Sequence, residues 1–346
     1  MNETLIQMSA AGSSPFLAEV YRWGIEVIKA IQVIKNPALT AFVKAFTFLG
    51  TQPFYVVILL VLFWCVNEKK ALKLGIFVIL SGWVNLVMKD LLKHPRPYDL
   101  EPSVGMASEP SYGIPSGHAQ NSLSFWVPLA AWRIQVLTEK AAEKLAQKII
   151  LIRTGTILFI LFMGYTRLYL GVHFPTDLAV GWILALIFIA LWFIPGPCIE
   201  KFLTAAGARK QIICTAVLAL AMNGIFPKDR SLPALFFGFC SGYILMKSRF
   251  PFSAAGEGRL KKPIAFPLRC VIGFAGMAVI YAGLKFLFPG EGSLFRNIPI
   301  WGESSPFYEI GRFIRYGLVG LWASAGAPFV FMRTGLAHNE STLLRR

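Results

Sequence analysis

The chain has 346 residues, of which 55% are hydrophobic and 15% charged, with a net charge of +16. Soluble domains carry about 25% charged residues, so this composition excludes an ordinary soluble fold and points to a multi-pass membrane protein. The 34 Lys+Arg against 18 Asp+Glu read as loop anchors under the positive-inside rule. A nucleic-acid partner is not expected, because it requires a basic face on a folded soluble domain.

Met1 to Phe16 carries neither the basic start nor the apolar core of a signal peptide, so the first spanning helix is expected to serve as the targeting signal. Leu17 to Lys35 is interrupted by Glu19, Arg22, Glu26 and Lys29, the pattern of an interfacial amphipathic helix. Pro37 to Gly50, with Lys44 inside it, is similar. Nine apolar segments follow as expected spans: Phe54 to Val66, Ala71 to Leu92, Ser116 to Leu137, Ile149 to Tyr165, Thr176 to Ile194, Gln211 to Phe226, Ser231 to Met246, Leu268 to Phe288 and Ile310 to Met332. The five cysteines lie in or beside apolar runs without metal-ligand spacing and read as packing residues. The expected organisation is residues 1–50 as N-terminal interfacial helices, 51–197 as a motif-bearing core and 198–346 as an accessory four-span bundle. The fold class is an all-α polytopic membrane protein, with five core spans and four further C-terminal ones.

The loops separate by charge. The basic set holds Lys69, Lys70, Lys140, Lys144, Lys148, Lys201, Arg209, Lys210, Lys247, Arg249, Arg259, Lys261, Lys262, Arg333, Arg345 and Arg346, and is expected to be cytoplasmic. The less basic set, Lys93 to Pro115, Gly171 to Pro175, Pro227 to Arg230 and Pro289 to Glu309, then faces outward. Compact loops and no retention signal suggest a bacterial plasma membrane.

Three strings fall on that outer side, and each holds residue types that handle phosphate. In the first, Lys89 to Pro97, Lys89 and Arg96 are seven residues apart, about two helical turns. They therefore start on one helix face, which Pro95 and Pro97 end. Arg gives bidentate contacts to phosphate oxygens, while Lys acts as a point charge. In the second, Pro115-Ser116-Gly117-His118, Ser116 can cap a helix start whose N–H groups bind anions, and Gly117 lets backbone come close to a ligand. His118 can donate a proton to a leaving oxygen.

In the third, Thr166 to Asp177, His173 stands before Pro175 at the mouth of a helix. Asp177 lies in that helix's first turn, where a carboxylate can hold the imidazole N–H and fix its tautomer. His173 is the candidate nucleophile. Arg167 ends the preceding helix and can clamp the same phosphate. His94 and His338 read as structural. Lys93 to Pro115, with Asp99, Glu101 and Glu109, is long enough for a lid.

Together these strings resemble the three blocks of the type-2 phosphatidic acid phosphatase superfamily, K-x6-R-P, P-S-G-H and S-R-x5-H-x3-D. The resemblance covers roughly Phe54 to Ile194, and Thr166 stands where the family usually has Ser. It implies a metal-independent phosphatase without cofactor. His173 would be nucleophile, Asp177 its orienting partner and His118 the general acid. Lys89, Arg96, Ser116, Gly117 and Arg167 would bind phosphate. It further implies a helical bundle with its site at the outer membrane interface, acting on a lipid phosphate or diphosphate among membrane lipids. The nine spans and Arg96-Pro97-Tyr98 also resemble the glucose-6-phosphatase branch, which leaves a sugar-phosphate phosphatase as the alternative. A non-enzymatic anion transporter and a vanadate-dependent halogenating enzyme are the lesser readings.

Overall fold

The computed structural model describes residues 15–140, 143–255, 261–289, 293–294 and 305–337. The expectations for His338, Arg259, Arg345, Arg346 and the chain before residue 15 lie outside the described residues. Every regular element among the described residues is a helix. These are α1 (Pro15–Gln32), α2 (Pro37–Thr47), α3 (Gln52–Cys65), α4 (Glu68–Leu92), the short α5 (Pro97–Leu100), α6 (Gly117–Glu139), α7 (Leu145–Tyr169), α8 (Pro175–Phe193), α9 (Gly196–Ala205), α10 (Gly207–Ile225), α11 (Ser231–Arg249), α12 (Lys262–Leu287), α13 (Pro306–Leu321) and α14 (Ala327–Arg333). A π-helical turn, Trp322–Gly326, joins the last two.

All nine expected spans fall on helices. Among the described residues, four segments are able to cross a membrane by length and hydropathy, Glu68–Leu100, α7, α8 and α12, and the pair formed by Pro37–Gly50 and Gln52–Cys65, bent by 51°, would make a fifth. The others are shorter or more polar: α3 has 14 residues, and α6 buries Gln120, Asn121, Ser122 and Ser124. Helix α9 stands where the sequence suggested only a loop.

The chain divides into two compact units, Met1–Val56 with Leu80–Ile194, and Val57–Ile79 with Pro195–Arg346. In the first, α6 packs against α7 and α8. The amphipathic α1 buries Tyr21, Gly24, Ile25, Ile28 and Gln32, positions recurring every three or four residues along one stripe. That stripe packs on Leu100, Val104 and Phe174, so α1 seals the loop that carries His173. Its end is fixed by Gln32 Nε2, which donates to the carbonyls of Val104 and Tyr169 at 2.8 Å each. Helix α2 starts from Asn36, whose side chain accepts the Leu39 N–H at 2.9 Å. It lies along α7 through Phe46 and Phe162, whose ring centroids are 4.6 Å apart.

In the second unit, α11 and α13 approach so closely that a Cβ at Gly238 would run into the backbone of Gly317. Small residues permit this contact, which suits helices packed in an apolar phase. The fully buried Arg269 donates to the carbonyls of Trp64 at 2.9 Å, Ala254 at 2.7 Å and Leu336 at 2.7 Å. Such bonds offset the desolvation of a buried guanidinium.

Candidate active site

All eight sequence-predicted site residues lie in the first unit. Helix α4 ends at Leu92 rather than at the prolines, because Pro95 keeps the preceding residue out of helical geometry and Lys93 takes a positive φ of 46°. Lys89 and Arg96 therefore do not share a helix face. Lys89 leaves the last turn of α4, and Arg96 leaves an extended residue that caps α5. They meet on a common acceptor instead: the Tyr112 carbonyl takes a bond from Lys89 Nζ and one from Arg96 at 3.1 Å.

Arg96 is 1% exposed. It donates from Nε to the Ser111 carbonyl at 2.6 Å, and from one terminal nitrogen to the Val172 carbonyl at 2.7 Å. That same nitrogen lies 3.3 Å from His173 Nε2. A guanidinium only donates, so Nε2 is the acceptor and the ring proton resides on Nδ1. Nδ1 in turn lies 3.1 Å from Asp177 Oδ2, which also accepts the Phe174 N–H at 3.0 Å. Asp177 thus fixes the tautomer that leaves the Nε2 lone pair pointing away from the carboxylate. Burial first, then the charges of Arg167, Arg96 and Lys89, hold the His173 imidazole well below its ordinary 6.5, so the ring is neutral.

Arg167 closes α7 and is 2% exposed. It donates to Thr47 Oγ1 at 2.6 Å and to Glu109. Glu109 also takes a bond from Arg96 at 3.2 Å. Thr166 does not face this cluster: its hydroxyl donates back to the Met163 carbonyl at 2.7 Å and lies 3.3 Å from Thr47 Oγ1. Gly171 turns the chain from α7 toward His173 with φ +65°, and a Cβ there would strike the Val104 carbonyl. Only glycine takes this conformation without strain.

Ser116 caps α6, accepting the Ala119 N–H at 3.4 Å, and its own N–H reaches the Asp177 carbonyl at 3.0 Å. The second and third strings are therefore joined backbone to backbone. Beneath the turn, Asn85 donates to Gln120 at 2.7 Å, and Gln120 donates to Ser81 at 2.9 Å. This buried polar chain fixes the start of α6 against α4. His118 lies in the first turn of α6. It lines a cavity of about 250 Å³ with Asn85, Lys89, Glu109, Gly117 and Asn121. A second hollow of about 480 Å³ lies along α2, lined by Lys35, Lys44 and Met106 among others. None of the three strings contributes to it, so the smaller cavity is the candidate site.

Four contributors were not legible as site residues. Thr47 and Tyr21 belong to helices that read as interfacial, and Glu109 to a loop read as a lid or connector. His94, read as structural, has Nδ1 at 3.8 Å from Asp177 Oδ1 and Nε2 at 2.8 Å from the Tyr21 hydroxyl. Its position before Pro95 was the only available signal. Among the described residues no group of three or more His, Cys, Asp or Glu side chains is arranged to hold a metal ion.

An unprotonated imidazole nitrogen backed by a carboxylate, beside three cationic side chains and a helix start, is an arrangement suited to attack on a phosphoryl group. The helical fold and this cluster define a class, and comparison with known proteins names it. The PAP2 superfamily profile matches residues 70–195, and that of the PAP2 superfamily phosphatase transmembrane extension matches residues 231–339. The chain carries a PAP2 superfamily domain followed by that superfamily's transmembrane extension, and is an integral membrane protein.

It is 24% identical over 219 residues to lipid phosphate phosphatase delta of Arabidopsis thaliana, covering 61% of this chain and 50% of that protein. It is 29% identical over 170 residues to phosphatidylglycerophosphatase B of Bacillus subtilis, covering 48% of this chain and 79% of that one. The match thus spans about half the length of the Arabidopsis protein. A crystal structure of a transmembrane PAP2-type phosphatidylglycerolphosphate phosphatase from Bacillus subtilis is similar with a TM-score of 0.44 and 23% identity, covering 57% of this chain and 92% of that one.

Proposed function

We propose that this protein is a membrane phosphatase that removes the terminal phosphate of a lipid phosphate or diphosphate through a phosphohistidine, on the outer face of a bacterial plasma membrane. The observation that carries the reading is the placement of His173, with Nδ1 at 3.1 Å from Asp177 and Nε2 at 3.3 Å from Arg96. A phosphate oxygen arriving at Arg96 takes over that N–H and frees Nε2 for attack.

The chemistry follows. Nε2 forms a bond to phosphorus as the ester P–O bond breaks, and His118 gives its proton to the departing alcohol oxygen. A water then attacks the phosphohistidine, His118 takes the water's proton, and the P–N bond breaks to release phosphate. Asp177 stabilises the ring charge that develops in the first step. Lys89, Arg96, Arg167 and the Ser116-Gly117 turn bind the equatorial oxygens, on which the transition-state charge is spread. The lipid class is supported by the names of the relatives and by the exposed apolar faces of α7 and α8, with Leu151 and Leu158 on one and Ile183 and Leu186 on the other. Such faces allow a headgroup to arrive laterally from lipid.

The test is phosphate release by detergent-purified protein in EDTA, across lipid phosphates, lipid diphosphates and glucose 6-phosphate, beside His173→Ala. Release from lipids that disappears in the variant is expected. Preference for the sugar ester would move the substrate to the soluble class, and activity surviving the substitution would remove His173 as nucleophile.

A further inference from the structure

Glu109 is a charged part of this site that the hydrolytic mechanism does not use. Its two carboxylate oxygens go to two different guanidiniums, Oε2 to Arg96 and Oε1 to Arg167. Those guanidiniums come from the first and third strings, so Glu109 bridges the groups that a phosphate would bridge. Its side chain is 25% exposed while those of Arg96 and Arg167 are 2% and 3% exposed. The carboxylate therefore reaches the buried cations from the accessible side.

It is also held there. The Tyr98 hydroxyl donates to the Glu109 carbonyl at 3.1 Å and accepts its N–H at 3.2 Å. The flanking loop is tied down by the bond from Arg96 to the Ser111 carbonyl and by Lys89, whose Nζ reaches the carbonyls of Tyr112 and Gly113. The three cations that the mechanism assigns to substrate thus each donate to this loop, Arg96 and Arg167 also keeping bonds to Val172 and Thr47.

We propose that Glu109 is an internal substitute for phosphate, which occupies the cationic cradle when it is empty and must be expelled for substrate to bind. The inference rests on the reading of Lys89, Arg96 and Arg167 as phosphate ligands. Formal charge favours the exchange. Three cations with Asp177 and Glu109 leave the cradle at +1, and replacing Glu109 with a phosphate dianion brings it to zero. Empty, the site holds three buried cations that would otherwise repel one another, and Glu109 satisfies two of them. Expulsion frees the 105–116 loop from the guanidiniums, so substrate entry and loop release are one event. Product phosphate competes with Glu109 in the same way, and recapture of the arginines by Glu109 helps to eject it. A protein whose competent form is only part of its population binds more weakly by that fraction, so removing the competitor strengthens binding.

The experiment measures inorganic phosphate binding to the full-length protein in detergent by calorimetry and by thermal stabilisation, for wild type, Glu109→Gln and Tyr98→Phe, with KM measured alongside. Glu109→Gln is expected to bind phosphate roughly tenfold tighter or more, to melt lower when empty and to gain more from added phosphate. Tyr98→Phe, which unpins the loop without removing the charge, is expected to shift the same way by less. Should Glu109→Gln not fold, Glu109→Asp serves, because the shorter side chain cannot span both guanidiniums. Unchanged or weaker phosphate binding in these variants overturns the proposal even if lipid phosphates are hydrolysed. Tighter binding in Glu109→Gln with no hydrolysis of any ester by the wild type would keep Glu109 in this role and remove the phosphatase reading instead.

Discussion

His173 and Asp177 are joined from Nδ1 to Oδ2 at 3.1 Å, and that same carboxylate oxygen caps the loop by accepting the Phe174 N–H at 3.0 Å. One atom therefore sets both the ring tautomer and the conformation of the residue after the ring. The pair is four residues apart, and Pro175 starts the helix between them, so the geometry is built from one short stretch of chain.

Asp177→Asn separates these two duties. The amide oxygen can still accept one of the two N–H groups, so the fold survives, but the charge that the proposed mechanism uses to stabilise a phosphorylated imidazole is gone and the tautomer is no longer imposed. The expected result is a fall in kcat of about 10³- to 10⁴-fold with KM changed by less than a factor of about three. Steady-state kinetics on the best lipid phosphate, with melting temperature as a control on folding, provide the check. A variant with near-normal kcat would mean that Arg96 alone orients the ring.

Acid should act on His173 in a definite direction. The unfolded chain protonates this imidazole near its ordinary 6.5, while the folded protein, with the ring buried among Arg167, Arg96 and Lys89, protonates it only well below that. Between the two values the unfolded state binds more protons, so stability falls as pH drops from about 6.5 toward the folded value, and this group has no effect above about pH 6.5. Likewise the acid limb of kcat/KM due to His173 lies below pH 6.5. Melting of wild type and His173→Gln at pH 7.5 and 5.5 tests the sign: the wild type should lose more on acidification. An equal loss would assign the acid sensitivity to other groups.

The parts of this site that could be read directly from the sequence are those whose chemistry and spacing are local. Ser116 caps the helix that its string predicts, and Asp177 reaches His173 within one helical turn. Arg96 was legible as a residue but not as a geometry, since the restriction imposed by Pro95 ends α4 at Leu92 and moves Arg96 off the helix. Thr47, Glu109 and Tyr98 were not legible as one system. Thr47 meets Arg167 across 120 residues of chain, and a largely apolar helix with two threonines, Thr40 and Thr47, gives no sign of such a contact. The fold class followed from apolar runs long enough to be unmistakable. Helix α9 was missed because its ten residues, GPCIEKFLTA, open with Gly-Pro and carry charges, the composition of a loop.

Thr47 offers a test of how far the cradle depends on residues outside the three strings. Its Oγ1 accepts from Arg167 at 2.6 Å and lies 3.3 Å from the Thr166 hydroxyl, which is itself committed to the Met163 carbonyl. If Arg167 binds phosphate as proposed, Thr166 therefore reaches it only through Thr47 and Arg167. Thr47→Val keeps the shape and removes the acceptor, leaving a buried guanidinium N–H without its partner. A hydrogen bond to a charged group contributes about 1.5–3 kcal/mol, so KM should rise roughly tenfold or more while kcat changes less. Thr166→Ser keeps the hydroxyl and its bond to Met163, so KM should move less than about twofold. Kinetics of both variants on the same lipid phosphate decide the matter. A large effect at Thr166 with none at Thr47 would show that Thr166 contacts phosphate itself once substrate is bound.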